Sequence, residues 1–465
     1  MRTHNTNAIV ALTVVGALAA CDFHITNPNA PTAIGPNATA AQVASSVAGL
    51  LVAVRADYPN WVLKSSILGR EGYRLDTADP RFTTELLAGP LDPSNNAFGG
   101  GQWQPEYRAI GAGYAILNVI GSAQIPDAQK SAVSGFVQTL QALALLNILV
   151  AHTQDSIPID VNRPVGGPLA PLVTNAVAYQ HVVNLLDSAR TSLAAASTFP
   201  FDPGPGFAGF NTPATFLKFN RALMARIRVY QASPSAPGGP CLACWDSALT
   251  ALSQSFLNPA GSLDSGVYNV FSSGNQDLAN ALSQATASAI NLAHPMIRDS
   301  AEKQPGGAFD KRVLAKVTDR GTAFTLACLT SGLSWTRYPT PNSSIPIVRN
   351  EELILLRAEA EWFAAAANKP QAISDVNLIR QTSGGLTVTT VTVASSDSVF
   401  VNEILKQRLY SLLYEGGHRW IDMRRRGRLS QVLIDRPTGC AAAGIPKDVV
   451  FSTLPINSFE VQARQ

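Results

Sequence analysis

The chain has 465 residues, a formal net charge of +3 and only 14% charged residues, against about 25% in an ordinary soluble domain. Proteins that bind nucleic acid or other polyanions through a general basic face are strongly positive, so this balance argues against that class. Hydrophobic residues make up 46% of the chain, and a sequence of this length can bury a large core.

The N-terminal segment has the pattern of an export signal that ends at a lipid-attachment site. Arg2 precedes an apolar run over residues 8–20, which is too short for the roughly 20 residues of a membrane-spanning helix. The stretch Leu18-Ala19-Ala20-Cys21 is similar to the bacterial lipobox. We therefore expect residues 1–20 to be a lipoprotein signal peptide and Cys21 to carry lipid chains. An ordinary signal peptide with an incidental cysteine is the alternative.

The residues after the cysteine predict a spacer and then one large domain. Pro28 and Pro31 oppose helix formation, so residues 21–39 are predicted to form an extended tether. Helical periodicity starts at residue 40, and we expect residues 40–465 to fold as a single α-helical domain.

Apolar residues recur at helical spacing through most of this domain. Helices are predicted at Ala40–Asp57, Gln129–Ala151, Thr174–Ala196, Pro213–Ala232, Cys244–Phe256, Arg349–Ala367, Lys369–Ser383 and Phe400–Glu415. Gln138, Gln141 and Asn147 interrupt the second of these, which favours a core helix over a membrane span. Short turns such as 368–370 join several helices in pairs, similar to tetratricopeptide-type hairpins without a clean repeat of about 34 residues.

Long irregular segments separate the helices, and material typical of strands is sparse. Most of the strand-like material lies in Gly385–Ala394. Segments rich in Gly, Pro, Ser and Asn cover Ala88–Gly101, Ser197–Pro213, Asn258–Asn275 and Gly332–Pro346. Loops of this length are usually functional or mobile, so a binding function is expected to lie there. The predicted fold class is mainly α, with helical hairpins, long loops and little β structure.

Four cysteines remain beyond Cys21, at 241, 244, 328 and 440. An exported protein is in a compartment where disulfides persist, and Cys241 and Cys244 follow a loop, not a strand of a thioredoxin-like unit. We expect Cys241 to pair with Cys244 and Cys328 with Cys440. A closed metal site of four thiolates is the alternative, because spacing does not fix connectivity.

The segment Leu413–Leu429 concentrates arginines around two acidic residues. If the chain is helical after Gly416-Gly417, the spacing pairs Glu415 with Arg419, Arg419 with Asp422, and Asp422 with Arg426. Trp420 and Ile421 lie between these charges and indicate an apolar side packed on the core. We interpret the segment as a structural strut, because a nucleic-acid arm would not neutralise its own arginines.

Signals for enzymatic chemistry are weak. Glu71, Asp76 and Asp79 cluster beside Tyr73, and a glycoside hydrolase needs two carboxylates about 5–10 Å apart. Acidic residues in such a loop are more often turn formers and ion-pair partners. The histidines have no HExxH spacing, no GxSxG turn is present, and no cofactor or metal is predicted.

Several motifs, in order along the chain, carry a resemblance to one family. Pro346–Trp362 (PIVRNEELILLRAEAEW), Asn377–Arg380 (NLIR) and Gln407–Gly427 resemble the helix signatures of the SusD/RagB family. Trp103–Ile110 is similar to its Trp-x-x-x-Tyr-x-x-Ile motif, and Leu454–Glu460 (LPINSFE) to its closing Pro-Ile-Pro motif. The likeness touches both ends and much of the middle of the chain.

Four positions depart from the family pattern. Gln407 and Ser411 stand where glutamates are common, Asn457 replaces the last proline, and Gly417 is an added residue. These departures affect the local ion-pair pattern more than the fold.

The resemblance implies a cell-surface lipoprotein of the outer membrane that binds a nutrient, typically an oligosaccharide. It also implies delivery to a SusC-like TonB-dependent transporter, without catalysis. Exported scaffolds that bind only proteins, and a glycoside hydrolase using Glu71 or Asp76, are the alternatives.

Sugar recognition relies on aromatic rings that cover the apolar face of a pyranose. Trp61, Tyr73, Trp335 and Tyr338 lie in or beside polar segments and are the candidate ligand-binding residues. Trp103, Trp362 and Trp420 coincide with scaffold motifs and are expected to pack in the core. The family's ligand residues follow no fixed motif, so the resemblance assigns none here.

Overall fold

The computed structural model describes residues 34–164, 166–274 and 277–465. In it, many helices that are consecutive in the sequence pack against each other. Residues Pro36–Gln465 form one unit. The predicted signal peptide, Cys21 and most of the tether lie outside the described residues. The mainly α fold class is confirmed.

The helix bounds agree with most of the predicted helices. The helices are α1 (Ala40–Arg55), α2 (Tyr58–Leu68), α3 (Arg81–Ala88), α4 (Gln104–Ile120), α5 (Asp127–Ala151), α6 (Asn175–Ala194), α7 (Pro213–Ala232), α8 (Cys244–Ser253), α9 (Met296–Asp299), α10 (Lys311–Lys316), α11 (Asn350–Phe363), α12 (Lys369–Thr382), α13 (Asp397–Ser411), α14 (His418–Arg425) and α15 (Ser458–Ala463). The successive pairs from α4 to α8 pack on each other, as do α11 and α12. This is the arrangement expected of helical hairpins.

Local sequence sets where these helices begin. Thr39 caps α1 in a capping box with Gln42, which satisfies two backbone N–H groups at the helix start. Asn368 caps α12, and Pro370 lies in its first turn, where a missing N–H costs little. In α5, 83% of the residues in the most apolar stretch are buried. The prediction of a core helix there is confirmed.

A small antiparallel sheet lies between the helical regions of the chain. The strands are β1 (Gly72–Arg74), β2 (Ile157–Pro158), β3 (Leu172–Val173), β4 (Gly266–Asn269), β5 (Asn291–Ala293), β6 (Val317–Leu326), β7 (Leu329–Trp335) and β8 (Ile345–Arg349). The four-stranded sheet has the order β1-β5-β7-β6, and β2 pairs with β3 and β4 with β8. Gly72 is opposite Ala293, and Val317 is opposite Trp335. One hydrophobic cluster includes residues of this sheet, and another lies among α11, α12 and α13.

The predicted strand at Gly385–Ala394 is wrong, because this segment is a loop. Its backbone is bonded to α12 instead of to a neighbouring strand. The N–H of Thr389 donates to the side-chain oxygen of Asn377 at 2.7 Å, and Arg380 donates to the carbonyl of Thr387 at 2.9 Å. Side chains of α12 therefore form hydrogen bonds with backbone groups of this segment that a neighbouring strand would otherwise satisfy.

Candidate functional site

Two of the predicted ligand-binding aromatics, Trp61 and Tyr73, lie inside the protein. Trp61 is on α2, is 1% exposed, and donates its indole N–H to the carbonyl of Gly416 at 3.1 Å. Tyr73 is on β1, is 4% exposed, and its ring centre is 4.8 Å from that of His294. Neither ring is a loop aromatic with a face open to a ligand.

The other two predicted aromatics are buried in the same core. Trp335 is 8% exposed and stacks in parallel on Tyr414 with ring centres 4.1 Å apart. Tyr338 is 3% exposed and donates its hydroxyl to the carbonyl of Tyr414 at 2.8 Å. The structure thus contradicts the interpretation of these four residues as exposed loop aromatics, because each ring already packs on another part of the chain.

The predicted ion pairs within Leu413–Leu429 are also corrected. Gly417 adopts φ 76°, a conformation that favours glycine, and α14 begins only after it, so Glu415 and Arg419 are not on one helix. Arg419 donates instead to the carbonyl of Gly69 at 3.0 Å. Of the local pairs on α14, the one that forms joins Asp422 to Arg425 at 2.8 Å, three residues apart.

The acidic residues of this segment pair with basic residues that lie outside it in the sequence. Glu415 binds Arg349 at 3.0 Å and Lys316 at 3.1 Å. Asp422 binds Arg408 at 2.7 Å. We call these buried ion pairs, which form three separate groups, the ionic core. Its members are Arg226, Arg349, Glu352, Glu359, Arg408, Glu415, Asp422, Arg425 and Arg426.

The most enclosed carboxylate of the ionic core is Glu359 on α11. Its oxygens accept hydrogen bonds from Arg425 at 2.6 and 2.8 Å and also from Arg426. Burial alone would raise the pKa of Glu359, but the two guanidinium groups outweigh it and hold that pKa well below its usual range. The interpretation of the arginine-rich segment as a structural strut therefore agrees with its position inside the protein.

The carboxylates of the hydrolase alternative do not share a cleft. Glu71 is 1% exposed and accepts the backbone N–H of Tyr414 at 3.0 Å. Asp76 lies in a surface turn, where it accepts from Arg74 at 2.8 Å. Within the described part of the chain, no group of three or more His, Cys, Asp and Glu side chains could hold a metal ion.

Two disulfides connect the predicted cysteine pairs. Cys241 is bonded to Cys244, and Cys328 is bonded to Cys440. The second bond joins the turn between β6 and β7 to a segment 112 residues further along the chain.

A groove beside the N-terminus of α4 has the features of a small-molecule site. It has a volume of about 480 Å³, within the range of about 300–1,000 Å³ that ligand sites occupy. Its walls come from α4, residues 158–164 and 166–170, and α15. We call it the α4 groove.

Aromatic residues form the floor and one edge of the α4 groove. Trp103 is 4% exposed and contacts Tyr107 edge-on, with ring centres 5.4 Å apart. Tyr107 is half-buried and donates its hydroxyl to the carbonyl of Pro158 at 2.9 Å. Phe459 is 60% exposed at the other wall. Tyr107 and Phe459 therefore have the position at a binding groove that was expected of the predicted loop aromatics.

Polar side chains surround these rings. The lining includes Gln104, Arg163, Asn457, Glu460 and Arg464. Glu460 accepts two hydrogen bonds from Arg464, at 2.5 and 2.8 Å. The mixture of apolar faces and directional donors and acceptors suits a ligand with many hydroxyl groups.

Two motifs that are far apart in the sequence meet at this groove. Asn457 donates to the carbonyl of Gly100 at 2.9 Å. The ring nitrogens of His152 lie 3.1 Å from the carbonyl oxygen of Leu454 and 3.0 Å from that of Gly101. The motifs Trp103–Ile110 and Leu454–Glu460 therefore build one site, and their occurrence in the sequence is the only signal that could have indicated it.

Comparisons with known proteins agree with this architecture. A family model described as the SusD family matches residues 329–441. A SusD superfamily protein from Bacteroides thetaiotaomicron is 16% identical, with a TM-score of 0.65 over 91% of this chain and 98% of that one. B. fragilis NanU is 13% identical, with a TM-score of 0.61 over 91% of this chain and 95% of that one.

A third similar structure is described as containing a xylogluco-oligosaccharide. It is 13% identical, with a TM-score of 0.63 over 84% of this chain and 85% of that one. No curated protein matches the sequence.

The fold and the sequence motifs together define a SusD-like protein built on tetratricopeptide-type hairpins. The matched segment contains α11, α13 and α14, which carry most of the ionic core. The chain therefore has the fold of the SusD-like proteins, and its residues 329–441 match the SusD family model.

Proposed function

We propose that the protein is a non-enzymatic lipoprotein of the outer membrane that binds an oligosaccharide at the cell surface and delivers it to a SusC-like TonB-dependent transporter. The observation that carries the binding proposal is the α4 groove, with the exposed ring of Phe459 facing a site that Tyr107 and Trp103 also line. The match of residues 329–441 to the SusD family model and the similar structure with a xylogluco-oligosaccharide support a glycan as the ligand class.

The groove would hold a sugar by contacts alone, without a cofactor. The apolar face of a pyranose packs on Tyr107 or Phe459, which removes apolar area from water. Gln104 and Arg163 then donate hydrogen bonds to the ring hydroxyls, while Glu460 accepts from them. Each contact is modest, so affinity depends on several sugar units along the groove.

Capture at a membrane requires an anchor, and Cys21 is the residue we propose for it. Lipid chains on Cys21 hold the protein at the membrane, since each buried methylene contributes about 0.8 kcal/mol. The tether of residues 21–39 leaves the domain able to cover a transporter. Cys21→Ser should move the full-length protein from the membrane fraction to the soluble fraction and abolish labelling with palmitate.

Glycan binding is tested by calorimetry with xyloglucan oligosaccharides and a wider glycan panel. We expect saturable binding to at least one glycan, weakened about tenfold by Tyr107→Ala or Phe459→Ala, which corresponds to about 1.4 kcal/mol. Tyr114→Ala is the matched control, because Tyr114 is also half-buried on α4 and does not line the groove.

Three results would contradict the proposal. They are the absence of binding across the panel, equal loss of affinity in the Tyr114 variant, and release of shortened sugars. Copurification with a large β-barrel but no glycan binding would support the scaffold alternative instead.

A further inference from the structure

A second cavity, of about 520 Å³, lies beside α14. It shares no lining residue with the α4 groove. Tyr179 of α6, Tyr230 of α7 and Arg424 of α14 line it, together with hydroxyl and amide side chains from the connecting segments. Its described lining residues include neither aspartate nor glutamate, so its wall carries positive charge.

The two arginines of this wall differ in how their charge is compensated. Arg425 is bound by Glu359 and Asp422 in the ionic core. Arg424 donates to the backbone carbonyls of Ser452 at 2.9 Å and Val150 at 2.5 Å. It forms no ion pair with a carboxylate among the described residues. Burial lowers the pKa of Arg424 to about 10, as expected for a cation without a carboxylate partner.

Arg424 also has a structural role, because Val150 lies in the last turn of α5 and a cation stabilises that end of a helix. This role uses part of the guanidinium group, which has five N–H donors. The remaining donors have no acceptor among the described residues. This structural role involves neither Tyr179 nor Tyr230, which also line the cavity.

Tyr179 and Tyr230 add two further donors. Neither hydroxyl forms a hydrogen bond with the described residues, although both side chains are only 5% exposed. Burial raises the pKa of both, that of Tyr230 to about 12. Both hydroxyls therefore keep their protons at neutral pH and can donate to an anion.

We propose that this cavity binds a small organic anion that bears hydroxyl groups, of the class of monosaccharides with a carboxylate or a phosphate. Arg424 pairs with the anionic group, and the hydroxyls of Tyr179 and Tyr230 donate hydrogen bonds to the ligand. Serine and threonine side chains at the rim bind the sugar hydroxyls. This site is separate from the proposed glycan groove and does not depend on it.

The test is calorimetry of the full mature chain with four probes: glucuronate, glucose 6-phosphate, glucose and inorganic phosphate. We expect saturable binding of one of the two acidic sugars and at least about tenfold weaker binding of glucose, since a charged hydrogen-bonded pair is lost. The two acidic sugars distinguish a carboxylate from a phosphate ligand.

Variants assign the binding to the cavity. Arg424→Gln, and Tyr179→Phe combined with Tyr230→Phe, should each weaken acidic-sugar binding about tenfold or more. Arg428→Gln is the matched control and should change affinity little, because Arg428 donates to Asn402 and Ser398 and does not line the cavity. If Arg424→Gln fails to fold, the tyrosine double variant decides, since it keeps both rings in place.

The proposal is overturned if neither acidic sugar binds, if glucose binds equally well, or if inorganic phosphate alone binds, which would indicate an adventitious ion only. Unchanged affinity in the folded variants would also overturn it. None of these results bears on the α4 groove, because the two sites have no residue in common.

Discussion

Glu359 and Glu460 both accept hydrogen bonds from arginine, but they lie in very different regions of the molecule. The side chain of Glu359 is 0% exposed and binds Arg425 and Arg426 within the ionic core. That of Glu460 is 20% exposed at the α4 groove and binds Arg464, four residues away. Removing one member of a buried pair leaves an uncompensated charge, whereas an exposed pair is replaced by water.

The comparison separates the scaffold of this protein from its proposed recognition surface. In the ionic core, carboxylates and guanidinium groups are buried and depend on each other. At the α4 groove, Phe459 and the charged side chains remain partly exposed. Substitutions at the exposed groove positions Phe459 and Glu460 should therefore cost the fold little, while substitutions in the ionic core should not.

The strongest test of this difference is the same substitution in both regions. Glu359→Gln leaves Arg425 and Arg426 without their shared carboxylate and should lower the free energy of unfolding by about 3–5 kcal/mol. Glu460→Gln should lower it by less than about 1 kcal/mol. Urea denaturation followed by tryptophan fluorescence measures both values. Equal effects of the two substitutions would show that the ionic core is not more tightly coupled than the groove.

Local spacing in the sequence predicted most helices, but none of the three ion pairs predicted from it is present in the ionic core. The period of apolar residues is clear in α5 and α11, and both were found. Helix α2 was missed because Lys64, Ser65 and Ser66 are buried in it, and a periodicity argument counts such residues as solvent-facing. Lys64 is accommodated by donating to the carbonyl of Asn96 at 2.8 Å, a contact that no local pattern encodes.

Contacts between residues far apart in the sequence, which form most of the ion pairs and the groove, could not be predicted from local spacing either. Spacing reveals pairs three or four residues apart, and the pair of Asp422 and Arg425 is of that kind. Glu359 and Arg425 are 66 residues apart, and Asn457 and Gly100 are 357 apart. Only the folded chain brings these residues together. Burial of Trp61 and Trp335 was likewise hidden, because the aromatic rings they contact, those of Trp420 and Tyr414, are far away in the sequence.

Glu71 is a buried glutamate that, unlike Glu359, accepts its hydrogen bond from a backbone N–H. The two glutamates should therefore change the stability of the protein with pH in different ways. Burial raises the pKa of Glu71 from about 4.5 to about 7, and the N–H of Tyr414 opposes this only in part. Between these two values the unfolded chain has lost the proton and the folded chain keeps it. This residue therefore makes stability fall as pH rises through that window.

Glu71→Gln should remove that fall, because glutamine carries no charge and its side-chain oxygen can still accept from Tyr414. Relative to the native protein, the variant should gain on the order of 3 kcal/mol between pH 4.5 and pH 8. Glu359 acts in the opposite direction, since its lowered pKa contributes stability that is lost as pH falls. Urea titrations at both pH values measure the change, and identical pH dependence in the variant and the native protein would count against a raised pKa at Glu71.

Tyr107→Phe gives the smallest expected effect and tests how the groove is held. The substitution removes the hydrogen bond to Pro158 but keeps the ring, so the free energy of unfolding should fall by only about 1 kcal/mol. If the face of the ring holds the sugar, glycan affinity should fall less than about threefold, against about tenfold for Tyr107→Ala. If the phenylalanine variant binds as weakly as the alanine variant, the hydroxyl of Tyr107 is what glycan binding requires. The hydroxyl would then either contact the ligand directly or hold the segment at Pro158 in place. Calorimetry of the two variants side by side, with their unfolding curves, separates the face of the ring from its hydroxyl.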